Sequence, residues 1–351
     1  MIVAIAIIAF VASTFFFKES SNLQIVKIPS PINGAYKAFG DKILYYNGNT
    51  VYCLSDMGAT RWSYDVGMEA GFDCSDEKVV LWAGSNLYIL DKNGNASFTD
   101  NLGTNIIFAH IGKQFMGVVL GEDKASRLSI RDHKGIQIDE EADAFMNDVV
   151  LDFGFFGNDG EFLWTLKLDT DSTAPNTILN TFEVGKMNTG EVSLGEYITY
   201  EVLFENARLR TINTRRMSTY DYRISRETAE SVLIYGWQLL DSQIPNKGDG
   251  AMLFAPSDQL TNPKTINELR LVMADKDIRY TLPMSCIGAI VHNNYVYAVA
   301  NSTIYKAASN RRYFNSYPLD LENGAREIVA KLNNGKILVS DGIELFMVTL
   351  P

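Results

Sequence analysis

The sequence predicts an all-β fold, a β-propeller of four-stranded antiparallel blades, on three observations. Short apolar segments alternate with Gly-, Asn- and Asp-rich turns along nearly the whole chain, which is the pattern of hairpins and meanders. The strand–turn–strand unit recurs at intervals of about 35 to 48 residues, which suits a four-stranded blade with loops of varied length. No Pro/Ser-rich linker or low-complexity block interrupts residues 33–351. The units therefore belong to one array in which each blade buries its faces on its neighbours.

Residues 40–66 show the unit most clearly. Gly40-Asp41-Lys42 leads into an apolar strand, Lys42–Asn47; Gly48-Asn49 turns it into Thr50–Ser55, and another Gly turn brings in a strand closing on Trp62-Ser63-Tyr64. Equivalent turns follow at Ser75–Lys78, Gly112–Gln114, Asn158–Glu161, Glu205-Asn206, Lys247–Gly250, Asn293-Asn294 and Asn333–Lys336, which with the first make eight. The strands after them are Val79–Ala83, Met116–Leu120, Phe162–Leu168, Leu209–Asn213, Ala251–Ala255, Tyr295–Ala300 and Lys336–Ser340. Eight blades follow. Seven is the competing count, because the fifth unit, Tyr200–Trp237, is the least regular. The last unit supplies only three strands (Glu327–Leu332, Lys336–Ser340, Glu344–Leu350), and Leu23–Ile28 is the expected fourth. Such pairing closes the ring and removes the edges an open array would expose; the competing reading of Leu23–Ile28 is a plain stalk. The division expected is a membrane anchor at 1–19, a stalk and ring-closing strand at 20–32, and the propeller at 33–351.

Thr50-Val51-Tyr52-Cys53-Leu54-Ser55-Asp56-Met57-Gly58-Ala59-Thr60-Arg61-Trp62 resembles the repeat of quinoprotein-type (PQQ-like) propellers. Asn86–Gly94 repeats its middle, with Phe98 near where Trp is expected. The resemblance is specific over residues 40–100 and generic beyond, and it implies the scaffold without the quinone. A quinone site in that family needs a calcium site, a Trp platform and usually vicinal cysteines. This chain has no Cys-Cys pair, and Trp62, Trp82, Trp164 and Trp237 are scattered as packing residues. No cofactor is expected. The whole chain also resembles single-pass, extracytoplasmic propeller proteins of unknown function from Firmicutes.

With 351 residues, 46% hydrophobic and 21% charged, the composition is that of a globular protein. A net charge of −11 opposes nucleic-acid binding, which needs a basic stripe. The one basic cluster, Arg208, Arg210, Arg215 and Arg216, is the candidate contact for an anion or a partner. Arg208 and Arg210 share a strand face by the period of two; the competing role is pairing with Glu201 and Glu205. The acidic run Asp139–Asp143 reads as a solvated loop. Cys53, Cys74 and Cys286 show no metal-ligand spacing. Buried thiols are expected, and a Cys53–Cys74 disulfide is left open.

Met1–Phe17 carries no charge. As a helix it would reach roughly 25 Å, a little under the hydrocarbon thickness of a bilayer. An uncleaved anchor fits better than a cleaved signal, because Phe15–Phe17 prolongs the apolar run past Val11-Ala12-Ser13 and no basic n-region is present. The expected placement is single-pass in the cell membrane with the ring extracytoplasmic.

No G-x-S-x-G elbow, H-E-x-x-H, P-loop or G-x-G-x-x-G after a strand occurs. His110 and His292 read as strand-end residues that could share one mouth of the ring, and Asp91–Asn95 as a tight turn rather than a calcium loop. No catalytic or metal residue is assigned, and no enzyme activity is expected. The functional expectation is a membrane-anchored scaffold that binds envelope proteins. The alternative is a glycan-, peptide- or small-ligand module using Tyr220, Tyr222, Tyr313, Phe314 and Tyr317 at one mouth, and an acid–base pair at Asp169 and Asp171 is the least favoured reading.

Overall fold

The computed structural model describes residues 23–351 except 122–125, 142–147, 172, 175, 187, 229–230, 246–248 and 262. Among the described residues thirty-three strands form eight antiparallel sheets, so the ring has eight blades. Strands a to d of a blade run from the channel outward. The a strands are Ala35–Phe39, Gly71–Cys74, Ile106–Ile111, Asp148–Phe156, Thr199–Glu205, Trp237–Gln243, Gly288–His292 and Glu327–Lys331. Each expected turn falls between an a and a b strand. One face of the ring carries the a–b and c–d turns, and the opposite face carries the b–c turns and the d–a connections.

The eighth blade is completed from the other end of the chain. Ile25–Ile28 pairs antiparallel with Leu345–Val348 in the register Ile25↔Val348 to Ile28↔Leu345. The fifth blade is irregular, as its sequence suggested: its d position is split between Arg226–Glu227 and Val232–Leu233, both paired to Arg216–Asp221.

The core lies between blades. Eight apolar clusters fill the eight interfaces, each drawn from two neighbours. Ile28, Leu338, Leu345 and Met347 of blade 8 meet Ile43, Tyr45 and Leu54 of blade 1, so burial as well as hydrogen bonding closes the ring. Outer residues of one blade also dock on glycine turns of the next. A side chain at Gly94 would lie 2.6 Å from the Trp62 indole, one at Gly135 2.1 Å from the Phe98 ring, and one at Gly185 3.3 Å from Ile138. The Trp-to-Phe change at 98 therefore preserves the docking.

The acidic run is not a loop throughout: Asp139, Glu140 and Glu141 belong to the d strand Gln137–Glu141, an exposed outer edge that tolerates charge, while 142–143 lie outside the described residues. The expected anchor at 1–19 also lies outside them. Among the described residues no helix is long and apolar enough to cross a membrane.

Candidate functional site

Seven blades each place one ionisable residue of the a strand in a girdle along the channel. Lys37 Nζ donates to Asp73 Oδ1 at 2.5 Å. His110 meets Asp73 Oδ2 through Nδ1 and Asp152 Oδ1 through Nε2, both at 3.0 Å. Glu201 of blade 5 faces Asp152. Lys331 Nζ reaches Asp241 at 2.7 and 2.6 Å, and also the carbonyls of Ser242 (3.1 Å) and Val291 (3.3 Å). Blade 7 contributes backbone alone, with Val291 N donating to Asp241 Oδ2 at 2.8 Å. In blades 4, 5 and 6 the a strand shifts register between Val150 and Asp152, Thr199 and Glu201, and Leu239 and Asp241. A bulge directly before each acid re-aims it.

Signs alternate from Lys37 to Asp152, after which three acids follow one another, Asp152, Glu201 and Asp241. Burial alone would lower the His110 pKa, but hydrogen bonds to Asp152 and Asp73 outweigh it and lift the value to about 9. Burial would raise Asp73, yet His110 and Lys37 hold it below the ordinary carboxylate range. Glu201 lacks such help: burial, then repulsion from Asp152, pushes it up to about 7. An imidazolium donating from both nitrogens to carboxylates has no free lone pair with which to abstract a proton. The girdle thus behaves as a network of ion pairs between blades. His110 and His292 both stand at strand ends as expected, but His292 does not join the girdle: that ring packs against Gly335 in the a–b turn of blade 8.

The four arginines do not gather. Arg208 and Arg210 lie near one end of the b strand Arg208–Asn213, and Arg215 and Arg216 lie beyond its other end, about 20 Å away at the rise of a strand. Arg210 pairs with the buried Glu205, whose carboxylate also accepts Gly250 N and so ties blade 5 to blade 6. Arg215 and Arg216 instead form the b–c turn of blade 5, where Asn213 Oδ1 accepts both backbone amides at 2.8 Å.

That turn stands on the d–a face beside several exposed apolar side chains. The connections flanking blade 5 expose Tyr197 (41%), Ile198 (48%) and Tyr235 (77%), and its outer strand exposes Leu233 (63%). Arg215 Nη1 donates to Tyr197 Oη at 2.6 Å with its guanidinium 5.3 Å from the ring centroid. Arg216 pairs through the backbone with Leu233, and Ile234 N donates to Arg215 O at 2.8 Å. A cleft of about 490 Å³ opens here, lined by Glu196, Tyr197, Arg215, Arg216, Ser231 and Leu233. The arginines had marked part of this surface in the sequence; the aromatic residues had not, because they come from two connections that only the ring brings together.

The stacking candidates lie elsewhere. Tyr220 and Tyr222 are buried between blades 4 and 5, and Phe314 packs on Tyr280 and Tyr305 at the edge of blade 7. Tyr313 is exposed beside Arg311. Asp169 accepts Asp171 N at 2.9 Å, which is a turn rather than an acid–base pair. Asp91 Oδ1 accepts Asn93 N and Asn95 N, the expected tight turn. All three cysteines are free. Burial pushes each thiol up to about 12, and Cys74, half-buried, donates to Ala38 O. Among the described residues no group of three or more His, Cys, Asp or Glu could hold a metal ion.

No protein-family model matches the chain, and no curated protein matches it in sequence. Solved structures do resemble it. BamB from Moraxella catarrhalis is 10% identical with a TM-score of 0.56, covering 94% of this chain and 97% of its own. The WD40 domain of SCAP from fission yeast is 7% identical with a TM-score of 0.58, covering 93% and 98%. BBS1N, solved in complex with ARL6DN, is 11% identical with a TM-score of 0.52, covering 94% and 98%. At these identities the likeness is one of fold: the chain is a β-propeller, similar to PQQ-like and WD40 rings alike.

Proposed function

We propose that the protein is a non-catalytic interaction scaffold of the cell envelope. Its apolar N-terminal segment anchors it in the membrane, and its extracytoplasmic ring binds other envelope proteins. The observation that carries this reading is the contrast between the two candidate regions. The girdle's Lys37, Asp73, His110, Asp152, Asp241 and Lys331 pair among themselves, whereas Tyr197, Ile198, Leu233 and Tyr235 lie exposed together on one face. Exposed apolar groups beside arginine are the composition of interaction hot spots. Propellers such as BamB and WD40 domains typically serve as protein-interaction scaffolds, and BBS1N was solved in a complex with a protein. Placement in the envelope draws on the uncharged run Met1–Phe17 and on the resemblance to anchored propellers; the Trp-bearing repeat at 50–62 favours the PQQ-like subtype.

A small-ligand module is the second reading. A cleft of about 730 Å³ on the same face, lined by Asn33, Lys264, Asn301, Arg326 and Glu327 among others, favours it. Crosslinking and co-purification of the full chain from its own membranes tests the scaffold. Discrete protein partners should appear with the wild type and be depleted with Leu233→Ser/Tyr235→Ser. Absence of any partner, or partners indifferent to both changes, would sink it.

A further inference from the structure

We propose that the cleft beside the b–c turn of blade 5 recognises an acidic protein segment carrying an apolar side chain, with Arg215 and Arg216 reading its carboxylates and Tyr197 and Leu233 receiving the apolar group. The inference rests on the scaffold reading and deepens it by stating the chemistry of the partner.

Charge complementarity carries the argument. The protein bears −11 overall, yet neither guanidinium makes an ion pair among the described residues. Arg127, Arg210 and Arg270, by contrast, form ion pairs with Glu140, Glu205 and Asp277. Arg215 is oriented by a neutral partner, the Tyr197 hydroxyl, and has no carboxylate partner among the described residues. Glu196 lines the cleft without pairing to either arginine. Two guanidiniums in a fixed turn can each take a carboxylate in a forked arrangement. Leu233, 63% exposed, and Tyr197, 41% exposed, supply adjacent apolar area in the cleft. A short acidic segment suits this patch better than a polyanionic membrane or nucleic acid, because the net negative charge of the whole molecule repels an extended anionic surface.

Selection of a random peptide display library on the immobilised full chain, with subtraction on Arg215→Ser/Arg216→Ser, tests the proposal. The subtracted pool should be enriched in Asp and Glu next to Leu, Phe or Tyr. Its best peptide should lose about tenfold or more in affinity on the double variant, weaken with salt, and weaken again on Leu233→Ser. Arg215→Glu/Arg216→Glu should turn the preference toward basic peptides, a gain that misfolding cannot mimic. A pool of neutral or basic peptides, or acidic peptides that bind the double variant equally well, would overturn the inference. So would arginine-dependent binding of phosphatidylglycerol vesicles in place of peptides. Peptides that bind another face would overturn this inference and leave the scaffold standing, while the absence of binders on any face counts against both.

Discussion

Glu201 is the odd member of the channel girdle: the other six residues form cation–carboxylate contacts, and its nearest charged neighbour is the like-charged Asp152. Its pKa in the folded protein, about 7, stands above its ordinary 4.5. A raised carboxyl stabilises the fold fully below the unfolded value, and that contribution is lost as pH rises through the folded one. Stability should therefore fall between about pH 4.5 and 7, by something on the order of 2 kcal/mol, and Glu201→Gln should flatten this slope in thermal melts. An unchanged slope in the variant would show that Glu201 is not the titrating group. His110 acts at higher pH: its pKa is raised from 6.5 to about 9, so its contribution is complete below 6.5 and lost as pH rises through 9. Little of this was legible in the sequence. A lone charge inside an apolar run, such as Asp152 or Asp241, is visible there, but its partner lies one or two blades away and is chosen by ring geometry.

At the scale of the element, the glycine turns of one blade act as seats for outer residues of the blade before it. Gly94 has φ +82°, a conformation that costs other residues energy, and it also leaves room for Trp62, whose Nε1 donates to Lys92 O at 3.1 Å. Gly94→Ala should cost about 2–4 kcal/mol, combining backbone strain with overpacking. Gly84 is the control: its φ is +57° and nothing lies within 4 Å of an added side chain. Gly84→Ala should cost about 1 kcal/mol by denaturant unfolding, and equal costs at the two sites would refute the seating. This element was readable, since the Gly turns and Trp62 form the repeat pattern itself. The split outer strand of blade 5 was not, because what fixes it is pairing to Arg216–Met217 and Tyr220–Asp221 rather than any local strand preference.

For the whole molecule, the turn spacing made blade number and order legible, because each a–b hairpin is a local event with a strong signature. The interaction face was not, since its residues come from segments more than 30 positions apart: Tyr197 and Leu233 line one cleft only once blade 5 is folded beside blade 4. Rigid presentation of that face needs a closed ring, and the closure rests on four residues of the N-terminal strand. Lys27 and Phe346 are paired across the seam, so Lys27→Cys/Phe346→Cys provides the most direct measurement. Under mild oxidation the full chain should form an intramolecular disulfide between positions 27 and 346, seen as a reducible mobility shift on a denaturing gel, and its Tm should rise. Two thiols that stay reactive toward a maleimide and never join would mean that the ring is open at this seam.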